Sequence, residues 1–355
     1  MTDPTHKTVT GVTSRPGPAG PESPLLRWLL LGWAAVHAVF AAGCYAVGVP
    51  LFGLGPHRVP AVLNWFAVAV AVLAAGAALA ASRARPGGRS VLRRALWVLA
   101  GLSLVSGFSL LMDVIALLTG ALPDSLPATA HHALGLLGAL VLAANARTGR
   151  VSSAVPSISA AGEGGPSRRV RLAVRAGVIA FLPYATMKTI WATGGTYAGV
   201  SGAEVLAASR RNGASGLWLA LEARGLDPTA LLAVLGCLLL FALIRPWGQV
   251  FPRRSPFLAG RPVPRWLLLT PALIGAATLL PYGLLGGGYL VLASFGALEL
   301  AAGDFGPGAD GLLVSWTGLV GFSGYGVALV VATRSYWLRT RTRTRARTGI
   351  RTVAR

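Results

Sequence analysis

Residues 27–49 read RWLLLGWAAVHAVFAAGCYAVGV, and this stretch decides the class of fold. It is apolar except for Arg27 at its start and His37 near its middle. A helix needs about 20 consecutive apolar residues to cross a hydrocarbon core of about 30 Å. The stretch therefore predicts a helix that spans a membrane, with one histidine near mid-bilayer.

Similar runs recur along the whole chain. The 355 residues are 54% hydrophobic and only 12% charged, whereas a soluble protein carries roughly 25% charged residues. We therefore predict an all-α polytopic membrane helix bundle. Its eight predicted transmembrane helices lie at 27–49, 61–82, 93–119, 126–146, 170–192, 229–247, 265–286 and 312–336.

The arginines predict the orientation of this bundle. All but four of the 30 arginines fall in the two tails or in the connections after the second, fourth and sixth predicted helices. The opposite side carries Arg58, Arg210, Arg211 and Arg224. Short basic loops stay in the cytoplasm, so we expect both termini to be cytoplasmic and the protein to lie in the cell membrane. This rule also accounts for the net charge of +21, and we expect no nucleic-acid partner.

The chain divides into five segments. Residues 1–24 are polar and rich in Pro, Gly, Ser and Thr, which predicts a disordered cytoplasmic tail. Two four-helix membrane halves follow at 25–147 and 170–337, joined by a cytoplasmic linker at 148–169. Residues 338–355 form a basic cytoplasmic tail.

The two halves resemble each other in sequence. At an offset of 172 residues, Arg93 aligns with Arg265 and Ser106 with Thr278, each pair in the third helix of its half. A duplicated four-helix unit would give two copies of the same orientation, related by an axis along the membrane normal. The alternative is that helices rich in Ala, Leu and Gly resemble one another by composition alone.

Two segments on the predicted outer side are too short or too broken to span. Gly286-Gly287-Gly288 predicts the end of the seventh helix, followed by a short surface helix at 289–302. In the loop 193–228, Ser201 and Glu204 have the spacing of a capping box that starts a helix. Ser215 is expected to cap a second helix, Leu217 to Arg224.

The end of the fifth helix carries a family resemblance. Residues 183–196 read PYATMKTIWATGGT, with Lys188 and a Trp-x-x-Gly-Gly-Thr ending. This segment resembles one found in uncharacterised multi-pass membrane proteins of high-GC Gram-positive bacteria. The resemblance implies a membrane protein and no particular chemistry.

No motif of a known enzyme class occurs in the sequence. It contains no Walker loop, no His-Glu-x-x-His, no nucleophile elbow and no Cys-x-x-Cys. Cys44 and Cys237 lie in apolar runs and are interpreted as small buried residues. We predict no catalytic residue, no cofactor and no metal, although His131 and His132 open the fourth helix side by side.

Polar residues within the predicted spans are the candidates for function, because such groups are costly in a bilayer. His37 either handles protons or binds a ligand, or it is a neutral imidazole bonded to a neighbouring helix. Asp113 and Lys188 lie at similar depth and either pair with each other or reach the outer interface separately.

Two proline–tyrosine pairs complete the candidate set. Pro183 and Pro281 are expected to interrupt the fifth and seventh helices. The tyrosines that follow them, Tyr184 and Tyr282, either line a central cavity or belong to ordinary kinks in a packed bundle.

The basic tail predicts contact with lipid. Its alternating Arg and Thr place like charges two residues apart, so we expect it to be disordered by itself. Anionic headgroups attract each arginine near the surface by about 1 kcal/mol. The residues expected to meet them are Arg339, Arg341, Arg343 and Arg345.

Three functions are compatible with these features. The first is a small-molecule or ion transporter, or a permease-like component, with a site between the halves. The second is a membrane scaffold or accessory subunit that binds an unidentified protein partner. The third is a membrane enzyme acting on a lipid or quinone, which the lack of paired acid and base residues disfavours. A polar cavity between the halves would favour transport, and a closed apolar core would favour the scaffold.

Overall fold

The computed structural model of the chain describes residues 24–54, 57–58, 60–83, 86–123, 125–147, 165–253, 259–300 and 310–353. Side chains are described within these ranges except at 53–54, 57–58, 82, 86–87 and 342–353. The predicted tail at 1–23 and most of the predicted linker, 148–164, lie outside the described residues.

Helices account for nearly all regular structure in the described ranges. Two short antiparallel hairpins pair β1 (Gly53–Leu54) with β2 (His57–Arg58), and β3 (Thr196–Tyr197) with β4 (Val200–Ser201). The α-helices are α1 Pro24–Ala46, α2 Asn64–Arg83, α3 Pro86–Ser106, α4 Leu110–Thr119, α5 Leu126–Arg147, α6 Arg168–Ala192, α7 Gly202–Arg211, α8 Gly216–Glu222, α9 Pro228–Ile244, α10 Arg265–Ser294 and α11 Gly311–Val353.

The predicted class of fold, an all-α polytopic membrane bundle, is confirmed. Within the described ranges, seven helical segments are long and apolar enough to cross a membrane, with α3 and α4 counted together as one. Large apolar side chains such as Leu29, Val39 and Leu235 are exposed on their outer faces, where lipid would cover them. The protein is therefore an integral membrane protein. The remaining predicted span, 229–247, corresponds to α9, which has 17 residues and rises about 25 Å.

The helices form two groups, each with its own hydrophobic core. The first group is α1 to α5, with a core centred on Leu30, Ala71 and Leu142. The second group is α6 and α9 to α11, with a core centred on Leu240, Leu243 and Leu329. In each group, the first spanning helix packs against the second and fourth, and so does the third.

The two groups touch along a narrow seam. There α10 packs against α3 and α4. The ring of Phe108 stacks on the ring of Tyr282, with centroids 5.2 Å apart and planes 7° from parallel. Near one end of the seam, the backbone N–H of Ser215 donates to the carbonyl of Thr119 over 2.9 Å.

The predicted helix 93–119 is wrong in being continuous, since the structure breaks it into α3 and α4 at residues 107–109. Gly107 lies against the backbone of α5: a Cβ there would be 3.1 Å from the nitrogen of Leu136 and 3.2 Å from the carbonyl oxygen of His132. The close approach of two backbones at this point needs a residue without a side chain.

The predicted break at Gly286-Gly287-Gly288 is also wrong, because α10 continues through these residues to Ser294. Gly286 packs against Leu319 of α11, and three residues earlier Gly283 packs against Ser323. These glycines allow two membrane helices to approach closely instead of ending one of them. The segment expected as a separate surface helix at 289–302 is therefore partly the last turns of α10.

Prolines do not end the helices that contain them. Pro183 lies inside α6, and Pro271 and Pro281 lie inside α10, with helix on both sides of each. The predicted helices 170–192 and 265–286 also ran through Pro183 and Pro281, and this continuity is confirmed. Proline is tolerated in membrane helices where neighbouring groups replace the lost backbone bond.

The capping predictions in the loop after α6 are confirmed. Ser201 and Glu204 form the predicted capping box at the start of α7. The side chain of Ser215 accepts from the backbone N–H of Trp218 and caps α8, which ends at Glu222. The loop is thus a folded unit of one hairpin and two capped helices.

The basic tail differs from its prediction, because the backbone of α11 is helical through Val353. Residues two apart in a helix lie about 200° apart around its axis, so Arg339 and Arg341 are attached on opposite sides of α11. Arginine is also a strong helix former. The mutual repulsion that we expected to unfold the tail is therefore weaker in a helix than along an extended chain.

Hydrogen bonds fix the start of this tail to the rest of the second group. Arg339 donates to the carbonyl of Leu243 at the end of α9 over 2.6 Å, and Arg265 donates to the carbonyl of Thr340. The hydroxyl of Tyr336 donates to the carbonyl of Gly248 over 3.0 Å. Arg339 thus contacts protein, whereas Arg341 is exposed. The side chains of Arg343 and Arg345 lie outside the described residues.

Candidate functional site

Two histidines from different helices meet inside the first group. Nε2 of His37, on α1, lies 3.1 Å from Nδ1 of His131, on α5. Both side chains are fully buried, with 0% of their surface exposed. His37 is therefore in contact with a neighbouring helix, and its partner is a second titratable residue.

The far nitrogens of this pair lack partners. Neither Nδ1 of His37 nor Nε2 of His131 has a hydrogen-bond partner among the residues that the structure describes. A neutral imidazole carries one N–H donor and one acceptor nitrogen. If His37 donates to His131, the remaining N–H is on His131; if His131 donates, it is on His37. In either case one buried N–H has no acceptor, a rare condition in folded proteins.

A third histidine contacts a carboxyl group next to the first two. Nδ1 of His132 lies 2.6 Å from Oδ2 of Asp113, on α4. The ring of His132 is 5.9 Å from that of His131, measured between centroids. The side chains of His132 and Asp113 are 10% and 15% exposed, so this pair lies closer to the surface than the pair of His37 and His131.

Backbone contacts hold the helices around these histidines. The indole N–H of Trp33 donates to the carbonyl of Leu134 over 2.8 Å, and the hydroxyl of Ser103 donates to that of Gly135 over 2.8 Å. A Cβ on Gly138 would lie 2.0 Å from the ring of Trp33. Trp33 and Ser103 therefore bring α1 and α3 against the small-residue face of α5.

The connection after α1 closes over the pair. Asn64 accepts from the backbone N–H of Leu51 and donates to the carbonyl of Val49, and this fixes the connection. The ring of Phe52 then packs edge-on against His131, with centroids 4.7 Å apart. Asn64 and Phe52 were not singled out in the sequence, although a buried asparagine at the start of an apolar run is itself a signal.

Asp113 and Lys188 do not pair in the structure; each has another partner. Nζ of Lys188 lies 3.7 Å from Oδ2 of Asp227, in the second group. Lys188 also lies over the ring of Trp191, at 5.5 Å from its centroid. The sequence matched the two charges by depth, but depth does not determine which way a helix faces.

Asp227 was missed as a site residue, and its role is structural. Its Oδ1 accepts from the backbone N–H groups of Thr229 and Ala230, so it caps the N-terminus of α9. The dipeptide Asp227-Pro228 before an apolar run is a helix-start signal that could have identified it. Lys188 thus neutralises a capping carboxylate.

Tyr184 and Tyr282 belong to one cluster of aromatic rings. Both rings pack on Phe322 of α11, with centroids 4.8 Å and 6.0 Å away. Tyr282 also carries the stack on Phe108 that joins the two groups. This contact between the groups is aromatic. The three histidines and Asp113 lie to one side of it, within the first group.

One acid outside the spanning segments has a shifted pKa. The backbone N–H and the hydroxyl of Ser201 each donate to Oε2 of Glu204 over 2.7 Å. These bonds stabilise the carboxylate and lower the pKa of Glu204. They belong to the capping box of α7 and have no link to the histidines.

The described residues contain no group of three or more His, Cys, Asp or Glu side chains arranged to hold a metal ion. The histidines are therefore connected as two pairs, one between imidazoles and one between an imidazole and a carboxylate. Such an arrangement can bind, hold or pass a proton.

No protein-family model, no curated protein and no solved structure matches the chain. The function of the protein is accordingly inferred from the geometry of the site.

Proposed function

We propose that the protein is a small-molecule or ion transporter, or a permease-like component, of the cytoplasmic membrane. The observation that carries this proposal is the fully buried pair of His37 and His131, with both far nitrogens lacking partners. The sequence placed the transport site between the two halves. The positions of His37, His131, His132 and Asp113 favour a site within the first group.

Energetics support a functional role for this pair. A polar group in a bilayer that lacks a hydrogen-bond partner is destabilising by several kcal/mol. In a purely structural pair, every polar nitrogen would be expected to have a hydrogen-bond partner. Asp227 illustrates this in the second group, because it caps α9 and also contacts Lys188. A pair that binds or passes a solute or proton needs groups that are not yet bonded.

The proposal also includes cytoplasmic termini and a duplicated four-helix unit. The arginine distribution supports cytoplasmic termini. The same order of neighbouring helices in the two groups supports a duplicated unit. Ser106 and Thr278, which align in the two sequences, are both buried in the third helix of their group.

A scaffold or accessory subunit is the second candidate. The observation in its favour is the folded loop after α6, in which a hairpin and two capped helices form an ordered surface. The closed aromatic stack of Phe108 on Tyr282 also leaves the seam between the groups apolar.

Access to the site from both sides of the membrane separates the two candidates. A single cysteine at Ser106, buried beside the α5 backbone, is placed in a chain whose Cys44 and Cys237 are alanine. A membrane-impermeant maleimide is applied to intact cells and to inside-out vesicles. A transporter should allow labelling in both preparations, because its site opens to each side in turn.

The control is a cysteine at Ala332, which is fully buried in the second core and should stay unlabelled in both preparations. Labelling of Ser106→Cys from neither side would favour the scaffold. Labelling from one side only would contradict alternating access at this site.

A further inference from the structure

We propose that His37 and His131 form a proton relay, which takes up a proton at Nε2 of His131 and releases one at Nδ1 of His37. This inference rests on the proposed transport function and names the proton as the transported or coupled ion. The juxtaposition that carries it is the 3.1 Å contact between Nε2 of His37 and Nδ1 of His131.

The unpartnered nitrogens lie at the two ends of this contact. The order along the path is Nε2 of His131, its Nδ1, Nε2 of His37, and its Nδ1. The two inner nitrogens share one hydrogen bond, and the two outer nitrogens face away from each other. This is the arrangement required for a proton to enter at one end while a different proton leaves at the other.

The transfer conserves atoms and charge. At the start, Nδ1 of His131 donates to Nε2 of His37, and the second N–H is on Nδ1 of His37. A proton binds to the lone pair on Nε2 of His131 and makes that ring cationic. The proton on Nδ1 of His131 then moves to Nε2 of His37, and His37 releases its Nδ1 proton to water.

One proton has then crossed the pair, and both imidazoles are neutral in the opposite tautomers. Rotation of the two rings, or return of a proton, restores the starting state. The pair therefore passes one proton per cycle of reorientation and does not form an open pore. Its orphan N–H is at the His37 end before transfer and at the His131 end afterwards.

The contact between His132 and Asp113 lies at the end where a proton would enter the relay. It lies beside His131 and is partly exposed, whereas His131 is fully buried. The relay requires a proton to cross from the ring of His132 to the ring of His131, whose centroids are 5.9 Å apart. Among the described residues, the ring of His132 on α5 flanks the pair and itself contacts Asp113 on α4. Cys44 lies further along α1, and the buried polar side chains of α2 and α3, Asn64, Ser103 and Ser106, do not ionise in the physiological range.

Two substitutions interrupt the relay and retain the contact between its halves. In His131→Asn the amide replaces Nδ1, the nitrogen that meets His37, and removes Nε2. In His37→Gln the amide replaces Nε2, the nitrogen that meets His131, and removes Nδ1. An amide does not exchange tautomers at neutral pH, so each variant blocks transfer at one end.

Proton flux is measured with the full-length protein in liposomes that contain a pH-sensitive dye. A potassium diffusion potential set with valinomycin drives protons inward. Wild-type vesicles should acidify at least tenfold faster than protein-free vesicles, and His37→Gln and His131→Asn should each return the rate to that of protein-free vesicles. The matched control is Thr333→Val, which removes a buried hydroxyl without a partner from the second group and should leave the rate unchanged.

A second measurement does not depend on flux. In nanodiscs containing ¹⁵N-histidine protein, both ring nitrogens of His37 and His131 should show shifts between the protonated and unprotonated values, because both tautomers are populated. Wild-type flux equal to that of protein-free vesicles, variants that conduct like the wild type, or a single fixed tautomer on each ring would each overturn the relay.

The relay and the transport function fail in different ways. If Ser106→Cys is labelled from both sides but no proton flux occurs, transport stands and the relay is rejected. If protons flow through the wild type but Ser106→Cys is labelled from one side only, the relay stands and alternating access is rejected.

Discussion

The two groups of helices use their buried polar side chains differently. In the second group, Asp227 caps α9 and neutralises Lys188, and Tyr336 donates to the carbonyl of Gly248. In the first group, His37 and His131 bond to each other and leave their outer nitrogens without partners. The difference teaches that Asp227, Lys188 and Tyr336 of the second group secure helix ends, whereas the histidines of the first group keep unused bonding capacity on titratable nitrogens. The unpartnered hydroxyl of Thr333 in the second group is not such a group.

The groups are alike in how closely their helices approach. In the first, Gly138 lies under the ring of Trp33; in the second, Gly283 lies against Ser323 of α11. Small residues let membrane helices gain van der Waals contact where the hydrophobic effect offers little. Close packing is therefore common to both groups. The unused hydrogen-bonding capacity of the buried histidines separates the first group from the second.

The largest expected effect is all-or-none and concerns the orientation of the two groups. If the groups are copies of one four-helix unit, they cross the membrane in the same sense. A reporter active only in the cytoplasm should be active when fused after Arg355 or within 148–169. It should be silent within 206–216 or 303–311, and activity at 303–311 would remove the basis for comparing the groups as copies.

The next effect is on stability and tests whether packing is common to both groups. Gly138→Ala and Gly283→Ala each place a methyl group inside the contact distance of a neighbouring helix. Overpacking of this kind is destabilising by about 1–3 kcal/mol. Both variants should therefore unfold at a lower temperature in detergent, while only Gly138→Ala should also lower proton flux.

Gly76→Ala is the control for this pair. No atom lies within 4 Å of a Cβ at Gly76, so the substitution should be neutral or slightly stabilising in α2. If Gly138→Ala and Gly283→Ala have equal proton flux, then proton flux is no more sensitive to overpacking in the first group than in the second.

The smallest effect concerns the charged pairs. Lys188→Met and Asp227→Asn should be coupled by about 0.5–3 kcal/mol in thermal stability, because the residues contact each other. Asparagine retains the cap on α9, so Asp227→Asn isolates the charge. Lys188→Met and Asp113→Asn should instead add to within about 0.5 kcal/mol, since each belongs to a different pair.

Two double-mutant cycles, read as melting temperature in detergent, measure both quantities. Coupling between Asp113 and Lys188 as large as that between Lys188 and Asp227 would contradict the separation of the two groups.

The sequence by itself determined the class of fold, the approximate position of most helices and the caps in the loop after α6. These features depend on local signals: the length of an apolar run, and a Ser-x-x-Glu spacing at Ser201. They require no knowledge of which helix lies beside which.

Tertiary structure decided whether a glycine breaks its helix or lets that helix pack closely against a neighbouring one. Both Gly107 and Gly286 occur in apolar sequence, yet the helix breaks at the first and continues through the second. A glycine gives the backbone freedom in either case, and the neighbouring helix determines how that freedom is used. The sequence around each residue carries no record of that neighbour.

Tertiary structure also decided the partners of the buried charges and histidines. His37 was recognisable as a polar residue near mid-bilayer, but its partner His131 is 94 residues away in the chain. The rotation and depth of two helices determine whether such side chains meet, and both depend on packing over the whole interface. The candidates were therefore visible in the sequence, whereas the pairing that gives them chemistry arises only when α1 and α5 pack together.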